Sequence, residues 1–137
     1  MNARTLAAVL GAITLIMGLG GLISPERTLA FVGLAPLTPS QPALAMGEAR
    51  AVYGGLFAML GAFTLWGAID ASGRRPLLLM AGCLWLGLAA GRSLGMSIDG
   101  NPGLFGWIAV LWEAGFGGAL VWAALASTVT GTNAEPE

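Results

Sequence analysis

The chain has 137 residues, of which 56% are hydrophobic and only 9% are charged, and its formal net charge is −1. Soluble domains carry about 25% charged residues, so this composition, with its mean hydropathy of +0.80, excludes an ordinary water-soluble domain. The scarcity of basic residues argues against a nucleic-acid partner, because binding to phosphates needs clustered lysine and arginine. The first partner that the sequence predicts is therefore the lipid bilayer.

Four apolar segments that are long enough to cross a bilayer follow one another along the chain. A spanning helix needs about 20 mostly apolar residues. Two of these segments, 5–23 and 51–69, contain no charge, one contains only Arg92, and one contains only Glu113. Turn-forming sequences at 70–76 and 99–103 separate the last three. We predict an all-α integral membrane four-helix bundle, with transmembrane helices at about 5–23, 48–69, 77–98 and 104–127.

The first apolar segment, 5–23, is interpreted as an uncleaved helix. It is longer than the core of about 7–15 residues that signal peptides have, and no small-x-small cleavage site directly follows it. In the connection after it, Ser24 and Pro25 form the pattern of an N-cap followed by a first helical residue, and Gly33 can end the helix that they start. We expect a short interfacial helix near 25–32, either along the membrane surface or tucked between helix ends.

The sequence predicts one transmembrane domain over residues 1–137, with a disordered polar tail at 130–137. Cytoplasmic loops of membrane proteins carry an excess of lysine and arginine. Arg4, Arg74 and Arg75 fall on one side of the predicted bundle. This side is therefore assigned to the cytoplasm, and both chain termini with it.

Charged residues in or beside the predicted helices converge on one half of the bundle. Arg92 is six residues before Ile98, and Glu113 is nine residues after Leu104. At about 1.5 Å per residue, they lie roughly 9 Å and roughly 14 Å from the same membrane surface. Because an unpaired charge at the bilayer centre costs about 2.5–3.5 kcal/mol, we predict that Arg92 and Glu113 pair across the third and fourth helices. The predicted intramembrane charge cluster comprises Glu48, Arg50, Tyr53, Arg92, Asp99 and Glu113.

Two interpretations of this cluster are open. The first is a structural staple, an ion pair that fixes the register of the helices and has no chemistry attached. The second is a site for a proton, an ion or a polar solute, because intramembrane charges are often functional. In the second case the chain would be a small proton- or ion-coupled transporter that uses Glu113 and Arg92.

Small residues at four-residue spacing predict close packing between helices. Gly54 begins such a series on the second predicted helix, and Gly87 begins another on the third. This spacing lets membrane helices approach backbone to backbone. The predicted packing positions are Gly54, Gly55, Gly87, Gly91 and Gly95.

The residue types that most catalytic and metal sites need are missing. The chain has no histidine and a single cysteine, Cys83. Haem ligation by paired histidine is therefore impossible, and one cysteine does not suffice for a zinc site. It contains no phosphate-binding or dinucleotide-binding motif. The one Gly-x-Ser-x-Gly pattern, at 91–95, lies inside the third predicted transmembrane helix, and Ser93 has no general base near it besides carboxylates. We therefore expect no enzyme activity, no metal and no cofactor.

Two segments carry a resemblance to a known family. Gly47–Gly55 contains Glu-x-Arg-x-x-Tyr-Gly-Gly, and Gly91–Gly100 contains Gly-Arg followed by Asp-Gly. With Glu113, they resemble the bacterial membrane family DUF4345 over roughly residues 5–126. The resemblance implies a four-helix bacterial membrane protein and assigns no catalytic residue. The predicted role is a non-enzymatic envelope accessory or interaction protein of the bacterial inner membrane, with a second copy or another membrane protein as its partner.

Overall fold

A computed structural model describes residues 2–34, 42–70 and 74–126, and every regular element in these ranges is helical. The all-α class that the composition predicts is thereby confirmed. In chain order the elements are α1 (Ala3–Ile23), α2 (Pro25–Phe31), α3 (Pro42–Ala49), a π-helical segment (Arg50–Leu56), α4 (Phe57–Ile69), α5 (Arg74–Asp99) and α6 (Gly103–Ala126).

Within the described ranges, four helical stretches are long and apolar enough to cross a membrane, the number that the sequence predicts. They are Ala3–Ile23, Met46–Ile69, Arg74–Asp99 and Gly103–Ala126. α5 starts three residues before the predicted 77–98, because hydropathy marks the apolar part of a helix and not its polar first turn. The tail predicted at 130–137 lies outside the described residues, and the single-domain organisation stays a prediction.

The short helix predicted near 25–32 is present as α2. Ser24 occupies the N-cap position as predicted, but its side chain makes no capping hydrogen bond in the described structure. Pro25 occupies the first helical turn, where its missing N–H is not needed. Gly33 adopts a φ of 76°, which a glycine tolerates without strain. The N–H of Leu34 donates to the carbonyl of Leu29 at 2.9 Å. This bond belongs to a Schellman turn, which satisfies carbonyls at the helix end.

The second spanning helix begins earlier than predicted. Its first segment, α3, starts at Pro42 and not at the predicted 48, so the connection before it is shorter than expected. A proline is compatible with the first turn of a helix, and here it starts one. The backbone stays helical on both sides of the π-helical segment, with φ and ψ of −60° and −43° at Ala49 and of −68° and −37° at Phe57.

Backbone contacts divide the chain into two compact units. The α1–α4 unit comprises Gly11–Ala62, and the α5–α6 unit combines Met1–Leu10 with the chain from Phe63 onward. In the α1–α4 unit, a Cβ atom added to Gly18 would meet the backbone of Ala58, and one added to Gly61 would meet the backbone of Leu15. The two helices thus touch where glycines leave space.

The α5–α6 unit contains a similar crossing. A Cβ atom added to Gly82 would lie 2.9 Å from the carbonyl oxygen of Gly117, and one added to Gly117 would lie 2.8 Å from the carbonyl oxygen of Gly82. Leu78, Trp85 and Leu120 are almost completely buried beside it. The core of this unit therefore lies between α5 and α6.

Candidate functional site

The structure pairs Arg92 of α5 with Glu113 of α6, as the sequence predicts. Arg92 Nη2 donates to Glu113 Oε1 at 2.6 Å. Arg92 Nε lies 3.3 Å from Oε1 and 3.1 Å from Oε2 of the same carboxylate. Both carboxylate oxygens therefore accept hydrogen bonds from one guanidinium group, the charge-assisted geometry that is strongest for this pair of groups.

The direction of helical side chains explains why these two residues meet. α5 and α6 run in opposite directions from the connection at 100–102, and Trp85 on α5 faces Phe116 on α6, with ring centroids 5.2 Å apart. Glu113 therefore lies between the levels of Trp85 and Arg92. Because Cα–Cβ bonds tilt toward the N-terminus of a helix, the side chains of Arg92 and Glu113 lean toward each other.

The two members of the pair differ in burial. The side chain of Glu113 is 6% exposed, whereas that of Arg92 is 39% exposed. One turn beyond Glu113, the ring of Phe116 stacks on Trp112 with centroids 4.5 Å apart. The carboxylate is thus enclosed beside closely packed aromatic side chains, and the guanidinium reaches the surface of the α5–α6 unit.

The remaining members of the predicted charge cluster have other surroundings. Glu48 is exposed on α3, and Asp99 is exposed as the last residue of α5. Arg50 is exposed, and its Nε donates to the backbone carbonyl of Leu22 at 3.3 Å. The half-buried Tyr53 stacks its ring on Phe57, with centroids 6.3 Å apart. Of the six predicted residues, Arg92 and Glu113 are hydrogen-bonded to each other in the part of the chain that the structure describes.

Some of the predicted glycine positions contact another helix in the described structure, and others do not. A Cβ atom added to Gly54 would lie 2.8 Å from Cδ2 of Leu22, so a helix does pack closely at this position. A Cβ atom added to Gly55 would have as its nearest described neighbour the carbonyl oxygen of Arg50, which is 3.8 Å away and belongs to the same π-helical segment. Gly55 is therefore no packing position toward another helix in the described structure.

The glycine series on α5, which was predicted to pack, faces no other helix in the described structure. No described atom lies within 4 Å of a Cβ atom added to Gly87 or Gly91, and Gly95 would meet only the carboxylate of Asp99, at 3.7 Å. The physical reason is that α5 packs through its opposite face, which contains Gly82 and Trp85. Glycine spacing alone does not tell which face of a glycine-rich helix is the contact face.

Sequence reasoning missed a second use of arginine. Arg74 Nε donates to the carbonyl of Gly67 at 3.3 Å, as Arg50 does to Leu22. In each case the acceptor lies in the last turn of the preceding spanning helix, where carbonyls lack intrahelical donors. Basic side chains there also interact favourably with the helix dipole. The sequence did contain a signal for the Arg74 contact, because an arginine a few residues after the end of a helix can reach the last carbonyls of that helix.

A polar contact at the start of α6 was also missed. Asn101 Oδ1 accepts hydrogen bonds from the backbone N–H of Gly103 at 3.1 Å and from Nε1–H of Trp107 at 3.2 Å. One amide oxygen thus orders the first turn of α6 and orients the indole of Trp107. An asparagine just before a helix start was the signal, since asparagine often bonds to backbone groups two residues on.

Comparison with known proteins identifies the family. The model of a family described as a domain of unknown function, DUF4345, matches residues 2–124. This range contains α1 to α5 and nearly all of α6. No curated protein and no solved structure matches the chain. Because the match extends over most of the sequence, the chain belongs to the DUF4345 family.

Proposed function

We propose that the protein is a non-enzymatic integral membrane protein of the bacterial inner membrane that serves as an envelope accessory or interaction protein. In this proposal the Arg92–Glu113 pair is a structural staple between α5 and α6, and a second copy or another membrane protein is the partner. Four helices that are long and apolar enough to cross a membrane support the membrane part of this proposal. The arginines at positions 4, 74 and 75 support an orientation with both termini in the cytoplasm.

The observation that supports the staple most directly is the burial of Glu113. Its side chain is 6% exposed, and both of its oxygens already accept hydrogen bonds from Arg92. A carboxylate that exchanges protons or cations during transport has to be reached by water at some stage. A buried carboxylate that is bonded to a neighbouring helix instead fixes helix register.

One observation favours a second candidate, a small proton- or ion-coupled transporter that uses Glu113 and Arg92. The Arg92 side chain is 39% exposed, so one end of the pair lies at the surface of the α5–α6 unit. A movement of the guanidinium would uncover the carboxylate. Intramembrane ion pairs serve proton relays in other membrane proteins.

The substitution Glu113→Gln separates the two candidates. The amide keeps the shape of the carboxylate but removes its charge. The substitution therefore weakens an ion pair that joins helices, and it abolishes transport that depends on the carboxylate. For the staple we expect a lower unfolding temperature in detergent and a lower yield, with proton flux into proteoliposomes equal to that of empty vesicles for both proteins. The matched control is Asp99→Asn, which neutralises an exposed carboxylate at the end of α5.

The opposite outcome would refute the staple. If Glu113→Gln keeps the unfolding temperature of the unchanged protein but loses a proton or ion flux that the unchanged protein shows, the pair serves transport. Asp99→Asn should leave both measurements unchanged in either case.

The accessory role needs its own experiment. The tagged protein would be purified from native membranes in a mild detergent, and the copurifying membrane proteins would be identified and then tested with a reciprocal tag. We expect either one reproducible partner or a defined homo-oligomer. Repeated recovery of the monomer alone, in detergents that preserve other membrane complexes, would contradict the role.

A further inference from the structure

The corner between α1 and α2 sets where α2 lies relative to the membrane. α1 is long and apolar enough to span a bilayer, and a single residue, Ser24, separates its end from α2. Ile23, the last residue of α1, is 79% exposed. α2 therefore begins where α1 leaves the apolar part of the bilayer, and its surroundings are continuous with those of the spanning helix.

One side of α2 packs on the protein. Pro25 is almost completely buried, and Thr28, Leu29 and Val32 are partly buried. These residues share one side at helical spacing, and the helix contacts α3 and the π-helical segment within the α1–α4 unit. The inner side of α2 thus has a partner in the structure.

The outer side of α2 is divided between polar and apolar residues. Glu26 and Arg27 are exposed at its start, whereas Phe31 is 75% exposed at its end and Leu34 is 51% exposed in the turn that follows. Phe31 lies one helical turn after Arg27, on the border between the polar and the apolar side of α2. The Schellman bond from Leu34 to Leu29 holds the turn against the helix. Two large apolar side chains therefore project from a fixed backbone beside the end of a spanning helix.

We propose that α2 and its Schellman turn, Pro25–Leu34, form a lipid-contact site on one membrane surface. Phe31 and Leu34 insert between the lipid headgroups and the upper acyl chains, and Glu26 and Arg27 stay among headgroups and water. Interfacial helices place their apolar side about 5–10 Å into this boundary. The argument uses the burial pattern of α2 and its continuity with α1, and it is independent of the role of the Arg92–Glu113 pair.

This site gives the protein a means of fixing the depth of α1. The tilt and depth of a membrane helix are set by packing and by interfacial anchors at its ends. The Arg50–Leu22 hydrogen bond ties the last turn of α1 to the second spanning helix, while Phe31 and Leu34 tie the same corner to the lipid. α1 is thus anchored on both sides of its C-terminal end.

Nitroxide accessibility in vesicles tests the site. In a Cys83→Ala background, single cysteines would replace Phe31, Leu34, Glu26 and Ala30 in four separate variants of the full-length protein. Each would be spin-labelled and reconstituted into vesicles of phosphatidylethanolamine and phosphatidylglycerol. Collision with oxygen, which concentrates in lipid, would be compared with collision with a water-soluble nickel complex. The Glu26 and Ala30 variants are matched controls, because both residues are exposed on the same helix.

We expect oxygen to dominate at positions 31 and 34 and the nickel complex to dominate at positions 26 and 30, so that the logarithm of their ratio changes sign within α2. Dominance of the nickel complex at all four positions would overturn the proposal, because α2 would then stand in water. Low collision with both reagents at 31 and 34 would also overturn it, since a protein surface would then cover them. The unfolding temperature of each variant shows whether it folds, and it should match that of the Cys83→Ala protein.

Discussion

Both units of the molecule join helices through glycine crossings and arginine-to-carbonyl hydrogen bonds, and the α5–α6 unit adds an arginine–carboxylate pair. In the α1–α4 unit, Arg50 donates to a backbone carbonyl, and the helices touch at Gly18 and Gly61. In the α5–α6 unit, Arg92 donates to the carboxylate of Glu113, beside a crossing that involves Gly82. A glycine crossing is common to both, and the ionic contact distinguishes them.

This difference shows what an arginine contributes to a membrane helix pair. A last-turn carbonyl lacks an intrahelical donor in any case, so Arg50 satisfies an existing need and its loss leaves no charge behind. Glu113 introduces a buried charge that depends on its partner. We therefore expect the α5–α6 unit to be far more sensitive than the α1–α4 unit to removal of its arginine.

The largest effect is expected for Arg92→Ala. It leaves the buried carboxylate of Glu113 without its donor, and breaking a buried pair in this way costs about 3–5 kcal/mol. Glu113→Ala should cost less, because the guanidinium that remains is 39% exposed and its long stem can extend toward water. Equilibrium unfolding in mixed detergent micelles measures both. An equal or larger loss for Glu113→Ala would show that the burial asymmetry has no energetic consequence.

The next effect tests the glycine crossing of the α1–α4 unit. Gly18→Ala places a methyl group against the backbone of Ala58, and such overpacking costs about 1–3 kcal/mol. The matched control is Gly87→Ala on α5, where no described atom lies within 4 Å of the new methyl group. Gly87→Ala should be neutral or slightly stabilising, because alanine favours helix more than glycine does. A large loss at Gly87 would reveal a contact outside the described structure.

A smaller effect is expected for Arg50→Gln. One exposed hydrogen bond of 3.3 Å to Leu22 is lost, and a bond of this kind contributes about 0.5–1.5 kcal/mol. Arg75→Gln is the control, since Arg75 is exposed at the start of α5 and carries the same charge. Thermal unfolding of the two variants should differ, with Arg50→Gln the less stable. Equal unfolding temperatures would mean that Arg50 does not hold the end of α1.

The smallest effect is expected for Asp99→Asn, whose carboxylate is exposed at the end of α5. Surface substitutions of this kind usually change stability by less than about 0.5 kcal/mol. The same unfolding assay detects a larger loss, which would give Asp99 a structural role that its exposure does not suggest.

The sequence predicted the elements whose physical cause lies in side chains. Lipid requires long apolar stretches, so hydropathy located all four spanning helices. Arg92 and Glu113 could be paired because an unpaired charge in lipid is costly and because the rise per residue of a helix gives the depth of each residue in the membrane. Ser24, Pro25 and Gly33 predicted α2 because these residue types have specific places at helix ends.

The sequence did not predict the contacts that depend on backbone or on which helix face is buried. The carbonyls of Leu22 and Gly67 have no sequence signal of their own, and the signal on the donor side, an arginine soon after a helix end at Arg74, was missed. The π-helical segment at Arg50–Leu56 has no residue pattern that separates it from an α-helix. Gly87 and Gly91 have no described neighbour within 4 Å of an added Cβ atom, because abundant glycine produces regular spacing on exposed and buried faces alike.

The coupling energy between Arg92 and Glu113 tests the central claim most directly. A double-mutant cycle of Arg92→Ala, Glu113→Ala and the combined variant would be measured by equilibrium unfolding, with Asp99→Asn as a control that involves no partner of Arg92. If the pair joins α5 to α6, the combined variant should lose less stability than the sum of the single losses, by about 1–3 kcal/mol. Losses that simply add would contradict the account, because two side chains without interaction give a coupling energy of zero.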